Sequence, residues 1–223
     1  MGAAWAAPIF YPILRIMKRA LWMTVFAIAM AAVESAVVVY LRALHSGADP
    51  ASVLQYQLPM RLLSIEVARE AATLVMLITV AALAGRNAWE RLRYFALAFG
   101  VWDIFYYVWL WVFIGWPPSL LTWDILFLIP VPWLGPVIAP VIVSLCLVGG
   151  ALWLLARPEL RLSRRAWVLA SVGCALVLLA FMIDYRYALL RADPPRFRWE
   201  LFLSGVVIGL GGVMATSRRV ASS

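Results

Sequence analysis

The stretch LPMRLLSIEVAREAATLVMLITVAALAG, residues 58–85, decides the fold class of this chain. It is long enough to cross a bilayer as one helix, because about 20 residues rising 1.5 Å each span the ~30 Å hydrocarbon core. Glu66, Arg69 and Glu70 nevertheless lie inside it. Ionisable groups within a spanning helix are costly and mark either a functional site or a strong structural contact. The stretch therefore predicts a membrane helix that carries a buried polar site.

The composition extends this prediction to the whole chain. Hydrophobic residues make up 65% of the 223 residues and charged residues 13%, whereas a soluble domain has about half and about a quarter. We predict an all-α, multi-pass membrane protein that forms one domain over residues 1–223. Its six predicted spans are residues 20–44, 59–85, 94–115, 137–156, 166–184 and 199–216. The bundle thus covers residues 20–216 and leaves a tail at 217–223.

Two segments fall outside the regular spans. Apolar residues at helical spacing in the arm 1–19 predict an amphipathic helix that lies in the membrane interface. The stretch 116–140, WPPSLLTWDILFLIPVPWLGPVIAP, has six prolines and three tryptophans, so it cannot be one continuous helix. Broken backbone is tolerated at membrane depth only where protein buries it or where it lines a cavity. We predict either a re-entrant hairpin with a short helix at 119–129, or an aromatic-rich interfacial loop.

Basic residues predict the orientation of the bundle. Twelve of them lie in the N-terminal arm, in two short loops and in the tail: Arg15, Lys18, Arg19, Arg86, Arg91, Arg93, Arg157, Arg161, Arg164, Arg165, Arg218 and Arg219. With six spans they share one side, and the positive-inside rule makes that side and both termini cytoplasmic. We expect a bacterial inner or plasma membrane. Nucleic-acid binding is not expected despite a pI near 10.1, because the charges lie in loops between apolar spans.

Five acidic residues are predicted to converge in the extracytoplasmic half of the bundle: Glu34, Glu66, Glu70, Asp103 and Asp124. The first two spans run in opposite directions, which sets Glu34 near the level of Glu70. An unpaired charge at the bilayer centre costs about 2.5–3.5 kcal/mol, and one arginine cannot neutralise five carboxylates. The remainder must be protonated, hydrated or bound to a cation. The sequence therefore predicts a polar pocket.

Each side chain of this pocket receives a candidate role. The candidate catalytic residues are Glu66, Glu70 and Asp103. The candidate pocket-lining residues are Arg69, Tyr106, Tyr107, Trp123 and Asp124. The candidate metal ligands are Glu34, Glu66, Glu70, Asp103 and His45, since carboxylate oxygens with one imidazole suit a divalent metal ion such as manganese, iron or magnesium. His45 is the single histidine, so no bis-histidine haem is expected.

Three functional hypotheses remain open at this point. The first is a pocket that binds a metal ion or a proton, in a membrane-embedded enzyme acting on an amphiphilic substrate. The second is a small proton- or cation-coupled transporter, although Thr73 and Thr79 are the main polar residues between Glu70 and the cytoplasmic end. The third is an accessory or assembly subunit of a larger membrane complex, in which the acidic cluster is structural.

One glycine pattern in the last span predicts a close helix contact. Gly205, Gly209 and Gly212 recur at a spacing that lets another helix approach closely. The partner is either a helix of the same chain or a second copy in a homo-oligomer. Apart from this contact, the lipid bilayer is the expected partner.

Overall fold

A computed structural model of the protein describes residues 7–45, 60–190 and 196–219, with side chains described at 14–44, 61–190 and 196–214. Most of these residues are helical, and five helical segments are long and apolar enough to cross a membrane. The helices are α1 (Ala7–His45), α2 (Met60–Ala84), α3 (Ala88–Ile114), α4 (Ile138–Leu155), α5 (Arg164–Met182), α6 (Tyr185–Leu190) and α7 (Trp199–Thr216). The predicted all-α helical bundle is confirmed, and the five long apolar helices are compatible with an integral membrane protein.

Local capping explains where α3 begins and ends. The Asn87 side chain accepts a hydrogen bond from the Glu90 backbone N–H at 3.0 Å, so the helix starts six residues earlier than the predicted Tyr94. Its last turn closes on Gly115, whose φ of 66° is left-handed and whose N–H donates to the Trp111 carbonyl at 2.9 Å. The loop between α2 and α3 is therefore shorter than predicted.

Helix α1 continues without a break through the predicted boundary between the arm and the first span. Its 39 residues make a rod of about 58 Å, nearly twice the hydrocarbon thickness. The arm and the first span therefore form one helix, and no proline or glycine interrupts the chain between residues 13 and 44. The interfacial location of the arm stays a prediction. The side chains of residues 7–13 lie outside the described part.

The proline-rich stretch forms a β-hairpin instead of a short helix. Strands β1 (Trp123–Phe127) and β2 (Trp133–Pro136) pair antiparallel, with Ile125 opposite Leu134 and a bulge before Phe127. The predicted helix at 119–129 is wrong, because pairing with β2 supplies the strand's backbone partners and prolines break the chain at the turn. Below, "the hairpin" means residues 123–136.

The turns and the C-terminal strand meet at one end of the bundle. Strand β3 (Leu160–Leu162) pairs with β4 (Ser217–Arg219), and the Trp89 indole donates to the Leu160 carbonyl at 3.0 Å. The Arg93 guanidinium donates to the Leu154 carbonyl at 2.7 Å, which fixes the start of α3 to the end of α4. We call this the basic end: it comprises residues 85–93, 156–165 and 217–219. The hairpin lies between the end of α3 and the start of α4, away from it.

The glycine face of α7 packs on α5 of the same chain. A Cβ on Gly173 of α5 would lie 2.5 Å from the Gly205 carbonyl oxygen and 2.5 Å from the Gly209 nitrogen. A Cβ on Gly212 would overlap Leu169 of α5 in the same way. The close helix contact predicted from Gly205, Gly209 and Gly212 is thus made within the chain, by α5. A homo-oligomer stays a prediction.

Candidate functional site

Arg69 on α2 joins carboxylates from two helices. Its Nη1 contacts Glu34 Oε2 on α1, and its Nε and Nη2 each lie 2.9 Å from Glu66 Oε2. The Thr73 hydroxyl, one turn further along α2, donates to Glu34 Oε1 at 2.6 Å. All of Glu34, Glu66 and Thr73 are buried. The structure thus brings Glu34 to the level of Arg69, as the topology predicted, but in a closed ion-pair network.

Glu70 faces the hairpin instead of that network. Its Oε2 accepts a hydrogen bond from the Leu128 backbone N–H at 2.8 Å, at the point where β1 enters the turn. The residue is only 7% exposed, and no described cation lies within ion-pair distance of its carboxylate. A buried backbone N–H needs an acceptor, because leaving it unpaired costs about 1–3 kcal/mol. Glu70 therefore holds the hairpin turn to α2.

Asp124 forms a second polar cluster with the outer ends of α1 and α3. The Tyr107 hydroxyl donates to its Oδ2 at 3.1 Å, and the Ile125 backbone N–H donates to its Oδ1 at 2.9 Å. Arg42 Nη2 lies 3.9 Å from Oδ1, and the guanidinium stacks 4.1 Å from the centre of the Trp116 ring. Asp124 and Tyr107, two of the predicted pocket-lining residues, are therefore in contact, and Arg42 of α1 is a nearby cation.

The pKa of Asp124 sets an expected pH dependence of stability. Burial raises it from 3.8 to about 6, and Arg42, Tyr107 and the Ile125 N–H offset only part of that rise. The folded protein therefore keeps this proton to a higher pH than the unfolded chain does. Protonated Asp124 therefore stabilises the folded protein below about pH 4, and this stabilisation is lost as the pH rises through about 6. The loss lowers the free energy of unfolding by roughly 3 kcal/mol.

The variant Asp124→Asn tests this dependence, because asparagine does not titrate. We expect the free energy of unfolding of the wild type to fall between about pH 4 and pH 6 relative to that of Asp124→Asn. Unfolding by sodium dodecyl sulfate in mixed micelles, followed by tryptophan fluorescence at each pH, measures the difference. Parallel pH profiles of the two proteins would contradict the assignment.

Asp103 is held in a third place, between α3 and α4. The Ser144 hydroxyl of α4 donates to its Oδ2 at 2.8 Å. The close approach depends on Gly100, where a Cβ would lie 2.7 Å from the Ser144 carbonyl oxygen.

Two predicted pocket residues, Tyr106 and Trp123, have packing roles. The Tyr106 carbonyl accepts from the Ser35 hydroxyl at 2.9 Å, and the Trp123 ring packs on an aromatic cluster around α5 and α7.

The predicted metal site is not supported. Among the described residues, no group of three or more His, Cys, Asp or Glu side chains is placed to hold a metal ion. Among the candidate ligands, Glu34 and Glu66 pair with Arg69, Glu70 accepts from the Leu128 N–H and Asp103 from Ser144, so the four carboxyls do not share one point. The side chain of His45, the fifth candidate, lies outside the described residues.

The candidate catalytic residues are likewise separated by their partners. Glu66 is paired with Arg69, Glu70 with the Leu128 N–H and Asp103 with Ser144. Sequence reasoning missed Arg42 and Ser144, because a hydroxyl or guanidinium in an apolar helix carries no local sign of what it faces. A catalytic role for these carboxyls stays a prediction, and the arrangement seen is a set of four separate polar contacts, of which those of Glu70 and Asp124 involve the hairpin.

The charges of these contacts do not balance. Five buried or half-buried carboxyls belong to them, Glu34, Glu66, Glu70, Asp103 and Asp124. Within the described part of the chain, Arg42 and Arg69 are the guanidinium groups that pair with them. The apolar surroundings favour neutral carboxyl groups where no cation is near. The site can therefore hold protons.

No protein-family model, no curated protein and no solved structure matches this chain.

Proposed function

We propose that this chain is a membrane-embedded proton-binding protein in which the protonation of Glu70 controls how firmly the hairpin is held. The observation that carries the proposal is the hydrogen bond from the Leu128 N–H to a buried carboxylate that has no described cation partner. Hydrogen bonds to an ionised acceptor are roughly twice as strong as neutral ones. Proton binding at Glu70 would therefore weaken the attachment of the hairpin.

The proposal includes a topology of six spans. Helix α7 has 18 residues, about 27 Å, and serves as the sixth span if the bilayer thins slightly at its ends. The basic end is then cytoplasmic, as are both termini, in a bacterial inner or plasma membrane. The hairpin is re-entrant from the extracytoplasmic side: Glu70, which it contacts, lies ten residues, about 15 Å, along α2 from Met60.

The variant Glu70→Gln separates proton binding from the structural contact. The glutamine amide oxygen still accepts from the Leu128 N–H, so the fold should lose only about 1 kcal/mol. Infrared difference spectra of the full-length protein in liposomes, recorded as the buffer is acidified, report protonated carboxyl groups. We expect the Glu70→Gln spectrum to lack one carboxylic acid band that the wild type shows.

The matched control is Glu200→Gln. Glu200 is an exposed carboxylate paired with Arg196, so its removal should leave the buried-carboxyl band unchanged. Hydrogen–deuterium exchange across residues 123–136 supplies the second measurement. On acidification it should increase in the wild type relative to Glu70→Gln at the same pH. Identical spectra of the wild type and Glu70→Gln would overturn the proposal.

A second candidate function is an accessory or assembly subunit, in which the acidic contacts are purely structural. It is favoured by the apolar packing between the site and the basic end, where Met23, Ala27, Leu77 and Leu97 are buried together. Thr79, the remaining predicted relay residue, is exposed on the bundle surface. These contacts disfavour a proton path across the membrane. Under this alternative, liposomes that contain the protein show no proton flux, and their infrared difference spectra show no carboxylic acid band from Glu70.

A further inference from the structure

Two arginines and two apolar side chains lie together at the basic end. Arg164, Arg165, Val168 and Leu169 line an open groove of about 330 Å³ at the start of α5, and the surface that they present to it is apolar. Val168 is 61% exposed and Leu169 37% exposed. The groove therefore suits an apolar chain, and both arginines are exposed beside it.

The position of the two arginines within α5 is electrostatically unfavourable. They are its first two residues, and the first turn has no acidic side chain. The amino end of a helix carries a partial positive charge that disfavours cations. Neither arginine forms an ion pair with a described residue. An external anion is the partner that this arrangement lacks.

The neighbouring strand β3 adds a further cation. Arg161 is exposed and lies three residues before the start of α5. An anion at the start of α5 would therefore lie in a region of excess positive charge.

We propose that this groove binds an acidic phospholipid of the cytoplasmic leaflet. Its phosphate lies against the guanidinium groups of Arg164 and Arg165, since arginine pairs well with phosphate oxygens. Its acyl chain runs along Val168 and Leu169, one turn deeper into the bilayer. A free phosphate ion would use the arginines but leave the apolar side chains uncovered. The site does not depend on the proton site around Glu70.

Native mass spectrometry of the delipidated full-length protein tests the proposal. The probes are phosphatidylglycerol and phosphatidylcholine with identical acyl chains. We expect the wild type to prefer phosphatidylglycerol. The double variant Arg164→Gln/Arg165→Gln should bind it roughly 10- to 30-fold more weakly, because each arginine near an acidic surface contributes about fivefold in affinity.

Two controls distinguish the groove from general charge attraction. The double variant Arg86→Gln/Arg157→Gln removes two exposed arginines at the same end but outside the groove, so it should change binding less than twofold. Val168→Asn should weaken phosphatidylglycerol binding, and inorganic phosphate should not compete with it. Equal losses in both double variants, equal binding of the two lipids, or displacement by inorganic phosphate would each overturn the proposal.

Discussion

Arg69→Leu is expected to lower the free energy of unfolding by about 3–5 kcal/mol, the largest effect of any single substitution in the polar site. The guanidinium contacts Glu34 and Glu66 from two helices, and both carboxylates are buried. Leucine leaves them facing each other without a cation. Titration with sodium dodecyl sulfate in mixed micelles, with tryptophan fluorescence as the readout, measures the change.

The control Arg86→Leu removes an arginine from an exposed pair. Arg86 is 64% exposed and pairs with Glu90 at 3.0 Å; exposed pairs contribute about 0–1 kcal/mol. Adding Glu34→Gln to Arg69→Leu should restore part of the lost stability, because one uncompensated charge is removed. Similar losses for Arg69→Leu and Arg86→Leu would show that the Arg69 network does not stabilise the bundle.

Gly173→Ala is expected to destabilise the protein by about 1–3 kcal/mol, the second large effect. The added methyl group would lie 2.5 Å from backbone atoms of Gly205 and Gly209, so α5 and α7 would have to separate. Neither neighbour has a side chain that can move aside. The same micellar unfolding titration reports the loss, which should appear even though alanine is the better helix former.

Gly211→Ala is the matched control on the opposing helix. A Cβ there meets no atom within 4 Å, so the higher helix propensity of alanine should leave stability unchanged or raise it by up to ~1 kcal/mol. Replacing glycine by alanine is therefore expected to lower the free energy of unfolding at position 173 and to leave it unchanged or raise it at position 211. Equal effects at Gly173 and Gly211 would mean that α5 and α7 do not pack through these glycines.

The hairpin shows how far local sequence reasoning reaches. Prolines at 130, 132 and 136 excluded a continuous helix correctly, because proline lacks the backbone N–H that a helix needs. They did not distinguish a short helix from a strand. That choice depends on pairing Ile125 with Leu134 across the turn, and on the acceptor that Glu70 provides for the turn.

The same limit applies to the acidic residues. Their presence at mid-helix positions is visible in the sequence, and so is the excess of acid over base. Whether they share one point depends on the rotation of each helix about its axis. The rotation of α3 about its axis decides that Asp103 faces Ser144 of α4, and hydropathy does not encode that rotation.

The sequence by itself determined that this chain forms long apolar helices compatible with a membrane protein, where most of those helices lie, and that ionisable groups are buried among them. Each of these follows from about 20 neighbouring residues, because the length of an apolar run and its charge are local properties. Only the tertiary structure decided which donor each carboxyl meets. Thr73 reaches Glu34 across 39 residues and Leu128 reaches Glu70 across 58, and contacts between such distant residues are set by how whole helices pack.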